Sequence, residues 1–212
     1  MIRKFFTRKS WPDFSREEIR KRARILVIDD MEFTYLDLFK KDGYTIEKWD
    51  DVDDLTKLEN RYYDIVLLDI QGVGRDLSQE QGLGILKHLR KTCPAQIIIA
   101  YSNADFSLEY QNFFRMADET LSKSDDYVQF KRTVDRLLSN RLSIDFYIER
   151  IENIASQYLS DTERIRELSR TAILNGKKSK LTTYMEKNIE DKEAFSRILQ
   201  IIQVAIGIAT LC

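Results

Sequence analysis

Between residues 23 and 140 the sequence alternates short apolar runs with amphipathic stretches, and this alternation restricts the possible folds more than any other feature. The apolar runs cover residues 24–28, 44–49, 64–68, 96–101 and 119–122, and the amphipathic stretches cover residues 32–42, 52–62, 82–92, 107–117 and 126–140. Strands that alternate with helices form a parallel sheet with helices on both faces. The continuously apolar third and fourth runs are typical of central strands that are buried on both sides. The sequence therefore predicts a doubly wound α/β fold with five parallel strands.

Acidic, hydroxyl and amino side chains stand at the ends of these runs. Asp29 and Asp30 follow the first run, Asp69 follows the third, Ser102 follows the fourth, and Lys123 comes just after the fifth. The carboxyl ends of parallel strands share one edge of the sheet, and open α/β folds bind their ligands beyond that edge. Carboxylates, a hydroxyl and an ammonium group gathered there can hold a divalent cation and handle a phosphoryl group.

In their order and spacing these motifs resemble the receiver domain of two-component response regulators, and the resemblance covers residues 23–140. The motifs that carry it are Val27-Ile-Asp-Asp30, Leu67-Leu-Asp69, Gly82-Leu-Gly-Ile-Leu-Lys-His-Leu-Arg90, Ser102 and Ala117-Asp-Glu-Thr-Leu-Ser-Lys123. The resemblance implies a flavodoxin-like receiver fold. It also implies a phosphoacceptor signalling protein rather than an enzyme that turns over an external substrate, with a sensor histidine kinase or a phosphotransfer protein as phosphoryl donor.

The resemblance implies a Mg²⁺ site at the edge of the sheet. Asp30 and Asp69 would bind the cation directly, Asp29 would act nearby or through water, and the backbone carbonyl of Gln71 would complete the protein ligands. Without a cation, carboxylates this close would repel one another and raise their pKa values.

The same resemblance implies a role for each remaining residue of the set. Asp69 would be the phosphoacceptor, because a carboxylate can attack phosphorus once the donor's charge is neutralised. Lys123 would bring a compact positive charge to the phosphoryl oxygens. Ser102 would supply a hydroxyl that moves to bond one of them.

The sequence departs from the family pattern in several places. Ser124 follows the lysine where the family usually has proline, and Thr120 stands where it commonly has an aromatic residue. Residues 70–81 form a longer loop in which Gly72 and Gly74 favour mobility, and Arg75 and Asp76 could reach the site. These departures keep open a receiver-like adaptor that works without phosphorylation.

Residues 141–212 are wholly helical in pattern and are predicted to form a small all-α output or interaction domain. We expect the last helix of the preceding domain to run on with little interruption, and then an apolar stripe of Ile144, Ile148, Ile151, Ala155 and Tyr158. The apolar run 198–211 is too short to span a bilayer, which favours burial in the bundle or in an interface with a protein partner or a second copy over attachment to a membrane.

A DNA-binding transcriptional regulator is the main alternative from another class. Such a protein needs a recognition helix with base-reading side chains, and Gly176 with Lys177, Lys178 and Lys180 are the only candidates in the tail. Nucleic-acid binding is thus possible but not favoured. The tail contains no histidine and no catalytic constellation.

Residues 1–22 form a basic arm with eight Lys or Arg against three acidic residues. Its two adjacent phenylalanines are flanked by charges, so it lacks the apolar core of a secretory signal. Ser15 and Glu18 have the spacing of a capping box, which predicts a helix from Arg16.

The formal net charge of -1 gives no reason to expect bulk affinity for nucleic acid or anionic membrane. The two cysteines, Cys93 and Cys212, lie far apart and have no metal-ligand spacing. Together with the missing signal, they predict a reduced, cytoplasmic protein.

Overall fold

The computed structural model describes residues 14–103 and 111–210, and its contacts divide the chain into two compact units at Arg141. We call residues 14–140 the sheet unit and residues 141–210 the helical unit. The predicted basic arm up to residue 13, the start of the stretch 107–117 and Cys212 lie outside the described residues. The domain limits drawn from the sequence stay predictions.

The sheet unit contains five parallel strands in the order β2-β1-β3-β4-β5. The strands are β1 (Arg24–Ile28), β2 (Thr45–Trp49), β3 (Ile65–Asp69), β4 (Ile97–Ser102) and β5 (Glu119–Ser122). The helices are α1 (Arg16–Arg22), α2 (Leu36–Lys41), α3 (Leu55–Glu59), α4 (Gly82–Thr92), α5 (Gln111–Met116) and α6 (Tyr127–Arg141). This strand order defines the flavodoxin-like doubly wound fold, which confirms the predicted fold class.

Side-chain alternation along the central strands decides which residues face the site. Every residue of β3 and β4 is buried, as predicted for central strands. One face of the sheet forms a core with α3 and α4, to which the strands contribute Leu26, Ile28, Val66, Leu68, Ile98 and Ala100. Because successive side chains of a strand point to opposite faces, the intervening residues point to the other face. Asp69 and its register partner Tyr101 are among them, and Asp29 continues the same alternation beyond β1.

The local signals at the helix ends explain where two predicted elements begin. The predicted capping box is present at α1, where the Ser15 hydroxyl accepts from the Glu18 amide at 3.3 Å and Glu18 accepts from the Ser15 amide at 3.0 Å. The stretch 52–62 yields only the short α3, because the Asp54 carboxylate caps the amide of Lys57 and starts the helix there.

The helical unit contains α7 (Ile144–Ala155), α8 (Glu163–Asn175), α9 (Ser179–Asn188) and α10 (Lys192–Ala209). Helices α7, α8 and α10 pack on one another, and α8 also contacts α9. The apolar side of α10 is buried at Ile198, Ile201, Ile202 and Ala205, which confirms the expected burial in the bundle. In the part of the chain that the structure describes, none of the helices has the length and apolarity needed to cross a membrane.

Two expectations about the start of this unit were wrong. Helix α6 does not run on, because it ends at Arg141 and Ser143 caps a new helix by accepting from the Asp145 amide at 3.2 Å. Tyr158 does not belong to the buried stripe. It follows the end of α7 at Ala155, and it is 40% exposed.

Candidate functional site

Three aspartates meet at the carboxyl edge of the sheet, as the sequence predicts. Asp29 and Asp30 follow β1, Asp69 ends β3, and one carboxylate oxygen from each lies within 4.8 Å of the others. Asp29 and Asp69 are buried, whereas Asp30 is exposed. The cluster is therefore anchored in the core on one side and open to solvent at Asp30.

Lys123 joins the two buried carboxylates. Its Nζ lies 2.8 Å from Asp29 Oδ1 and 2.7 Å from Asp69 Oδ2. The end of β5 positions it, because the Lys123 amide donates to the Ser102 carbonyl at 3.1 Å. Burial by itself would lower the pKa of Lys123, but the hydrogen bonds to both carboxylates outweigh it and raise the pKa. The ammonium group is thus held in its charged form between two acids.

Asp69 is buried, and its hydrogen-bond partners only partly offset the cost of burying its charge. Burial raises the pKa of Asp69, and Lys123 together with the Gln71 amide, which donates to Asp69 Oδ1 at 3.3 Å, lowers it by less. The structure therefore brings the Gln71 backbone to the cluster, while the Gln71 side chain is exposed. Its carbonyl as a metal ligand stays a prediction.

The long loop after β3 packs directly against Asp30. At Gly72 φ is +86°, and a Cβ atom there would lie 2.2 Å from Asp30 Oδ2, so only glycine fits. The Gly72 amide donates to the Gln81 side chain at 2.8 Å, which ties the two ends of the loop together. As predicted, Arg75 reaches the site, with Nη2 3.6 Å from Asp30 Oδ2.

Helix α4 fixes the backbone of the phosphoacceptor candidate. A Cβ atom at Gly82 would lie 1.9 Å from the Asp69 carbonyl oxygen, so the helix starts in direct contact with the end of β3. The Gly82 amide also donates to the Ile70 carbonyl at 3.1 Å. The position of Asp69 thus depends on the absence of a side chain at residue 82.

Sequence reasoning missed Tyr101, which points into the cluster. Its buried hydroxyl donates to Asp29 Oδ2, and Lys123 Nζ lies 5.0 Å from the centre of its ring. Ser102, the next residue of β4, is also buried at this strand end, and its role as a hydroxyl donor stays a prediction. The signal in the sequence was a second hydroxyl residue, which stands directly before Ser102 at the same strand end.

The two departures around Lys123 have plain structural outcomes. Thr120 pairs with Ala100 in the β4–β5 ladder, and the peptide bonds of the described residues, including the one before Ser124, are not cis.

A cavity of about 270 Å³ opens beside the cluster, and Phe33, Tyr35, Tyr101, Lys123 and Phe130 are among the residues that line it. The aromatic side chains around the site therefore come from β4, α6 and the segment before α2, not from β5.

Comparison with known proteins finds similarity in structure only, since no family model and no curated protein matches the sequence. A CheY-like response regulator receiver domain protein from Methanospirillum hungatei is 25% identical, covering 56% of this chain and 95% of that chain with a TM-score of 0.46. A two-component response regulator from Clostridium difficile is 20% identical, covering 56% and 97% with a TM-score of 0.47. The receiver domain of NtrX from Brucella abortus is 22% identical, covering 54% and 98% with a TM-score of 0.43.

Proposed function

We propose that this protein is a response-regulator-like signalling protein that accepts a phosphoryl group on Asp69 and relays the change to its helical unit. The observation that carries the proposal is the position of Lys123, whose ammonium bridges Asp29 and Asp69 at hydrogen-bond distance beside the exposed Asp30. Phosphoryl transfer to a carboxylate needs a nucleophilic acid, a fixed positive charge and access for a metal ion, and Asp69, Lys123 and the exposed Asp30 can provide them.

The residues of the cluster divide the chemistry among them. An oxygen of Asp69 forms a bond to phosphorus while the donor's bond to phosphorus breaks, and the leaving group keeps the electron pair and takes a proton from solvent. Lys123 already contacts Asp69 Oδ2, so its charge is in place for the phosphoryl oxygens. The Gln71 amide holds the other oxygen of Asp69 and so fixes the direction of attack.

The donor set fits Mg²⁺, a hard cation that prefers oxygen ligands. Lys123 offsets one negative charge among the carboxylates that lie within 4.8 Å of one another, so a further cation would still be attracted, and Asp30 gives access from solvent. We assign Asp30 and Asp69 as direct ligands and the Gln71 carbonyl as a further one. When bound, Mg²⁺ would supply positive charge to the incoming phosphoryl oxygens.

The phosphoryl donor in this proposal is a sensor histidine kinase or a phosphotransfer protein. The output is binding of a protein partner or of a second copy by the helical unit.

The charges on α8 give no support to a DNA-binding output. Arg164 pairs with Glu167, and Arg166 pairs with Glu152, each at 2.9 Å. The exposed side of α9 likewise mixes Lys180 and Lys187 with Glu186. A balanced helix face lacks the positive field that phosphate contacts need.

The direct test is to incubate the full chain with Mg²⁺ and a small phosphodonor such as acetyl phosphate, and to measure the intact mass. We expect the gain of one phosphoryl group on the unaltered chain. Asp69→Asn is the matched control, since it keeps the shape of the side chain and removes the nucleophile, and it should gain nothing.

Peptide mapping distinguishes the outcomes. A phosphoryl group on Asp69 supports the proposal, and loss of the modification in the presence of a chelator supports the Mg²⁺ assignment. No mass gain on the unaltered chain, from the small donor or from phosphorylated histidine kinases, would instead leave the phosphorylation-independent adaptor as the better description.

A further inference from the structure

The phenol of Tyr101 is a buried polar group beside the three aspartates that the proposed chemistry does not use. Its side chain is 3% exposed, and its hydroxyl donates to Asp29 Oδ2. A large buried side chain in hydrogen-bond contact with a metal-site acid needs an explanation.

Tyr101 is the third hydrogen-bond donor to the Asp29 carboxylate. Asp29 Oδ1 already accepts from Lys123 Nζ at 2.8 Å and from the Met31 amide at 2.9 Å, so the phenol takes the remaining oxygen. Asp29 thus accepts three hydrogen bonds against two on Asp69, and a cation bound at Asp29 Oδ2 would compete with the phenol for that oxygen. Asp30, by contrast, is exposed and its oxygens face the loop after β3.

Packing prevents the Tyr101 ring from swinging away. Its ring packs edge-to-face with Phe33 at a centroid distance of 5.9 Å and with Phe130 at 5.9 Å, with interplanar angles of 85° and 80°. Lys123 covers its face at 5.0 Å. The ring is thus held on three sides, and the hydroxyl has little freedom to leave Asp29.

We infer that Tyr101 is a positioning residue that holds Asp29 out of direct contact with the cation, so that Asp30 and Asp69 alone provide the carboxylate ligands. This inference rests on the proposed function and states which of the acids coordinate the cation directly. It also explains why the chain tolerates a bulky phenol beside a phosphoryl site: the phenol neutralises part of the charge of Asp29 and limits its movement.

The test compares Mg²⁺ affinity of the full chain and its variants by isothermal titration calorimetry. Tyr101→Phe keeps the ring and removes the hydroxyl, which frees Asp29 Oδ2. Because a hydrogen bond to a charged group no longer competes, we expect Mg²⁺ to bind about three- to tenfold more tightly. Tyr35→Phe is the matched control. Tyr35 lines the same cavity, but its hydroxyl donates to the Asp125 carbonyl at 2.9 Å, so its loss should leave the affinity unchanged.

A double-mutant cycle shows whether the effect acts through Asp29. In an Asp29→Asn background the further change Tyr101→Phe should no longer tighten binding to the same extent, because a neutral amide oxygen attracts the cation much less than a carboxylate does. A tightening of the same size in that background overturns the inference. So does an affinity of folded Tyr101→Phe that equals or falls below that of the unaltered chain.

A measurement on the unaltered chain covers the case in which Tyr101→Phe does not fold. The buried hydroxyl proton of Tyr101 should persist in NMR spectra at saturating Mg²⁺, and its disappearance on Mg²⁺ binding overturns the inference. Mg²⁺ binding and phosphorylation of Asp69 with no effect of Tyr101→Phe refute only the positioning role. If the unaltered chain binds no Mg²⁺ and gains no phosphoryl group, both the role and the proposed function fail.

Discussion

At the residue scale, the candidate site concentrates charge where burial makes charge costly. Asp29 is fully buried, Asp69 is 3% exposed, and Lys123 lies between them. Replacing a buried ion pair by well-packed apolar residues is often neutral or stabilising, so these groups are poorly explained as stabilisers of the fold. The chemistry proposed for this edge of the sheet explains the buried charges better.

A different ion pair of the sheet unit stabilises the fold and depends on pH. Asp135 in α6 accepts from Arg20 Nε of α1 at 3.0 Å and from the Tyr44 hydroxyl. Burial by itself raises the pKa of Asp135, but these hydrogen bonds outweigh it, and the pKa is lowered below the ordinary 3.8. The carboxylate thus binds its proton less tightly in the folded state than in the unfolded state, and it stabilises the fold at pH values above 3.8.

We therefore expect Asp135→Asn to lower the free energy of unfolding by about 1–2 kcal/mol at neutral pH. The difference from the unaltered chain should shrink as the pH falls below 3.8 and through the folded pKa, because the aspartate itself becomes neutral there. Urea unfolding followed by circular dichroism at several pH values measures it. A difference that stays constant down to the lowest pH would contradict the ion-pair explanation.

At the element scale, the start of α4 is the most constrained helix end of the site. Gly82 lies against the Asp69 carbonyl, and the positive φ of Gly72 lets the connecting loop turn beneath Asp30. These contacts link the phosphoacceptor candidate to a helix rather than to a free loop. A side chain at residue 82 would have to push β3 and α4 apart.

Gly82→Ala should therefore destabilise the fold by about 1–3 kcal/mol through overpacking and should slow phosphorylation of Asp69. Gly207→Ala in α10 is the matched control, since a Cβ atom there would meet nothing within 4 Å. That change should stabilise its helix by up to about 1 kcal/mol, because alanine is the better helix former. Thermal unfolding of both variants measures the contrast, and equal effects of the two changes would contradict it.

At the scale of the whole molecule, the two units are joined by a short connection. Helix α6 is the last element of the sheet unit and ends at Arg141. Helix α7 begins at Ile144. Phe130 of α6 contacts Tyr101, so α6 has one contact with the site and leads along the chain to the helical unit. The proposed relay from Asp69 to residues 144–209 would therefore run through α6.

We expect phosphorylation to alter hydrogen–deuterium exchange in α6 and in the helical unit. The comparison is between the full chain with and without Mg²⁺ and acetyl phosphate, with Asp69→Asn treated in the same way as control. The changes should appear in the unaltered chain alone, because the control cannot form the acyl phosphate. If protection changes only around the phosphorylated edge of the sheet, the proposed relay to the helical unit is refuted.

Most of the fold follows from the sequence, since apolar periodicity and strand length are local properties. The strands match the predicted runs closely at 24–28 and 119–122, and α4 matches the stretch 82–92 in full. The break between α6 and α7 was missed because it depends on the Ser143 cap, a single polar residue inside an otherwise continuous helical pattern. Tyr158 was misplaced because the stripe was extended past the end of α7.

The sequence by itself determined that five strands alternate with helices and that Asp29, Asp30, Asp69 and Lys123 meet at one edge, because strand ends in a parallel sheet share that edge. Only the tertiary structure decided that the Tyr101 hydroxyl bonds Asp29. The physical reason is that side chains alternate with a period of two, so a shift of one residue exchanges the faces of the sheet, and only the packed register fixes which face is which.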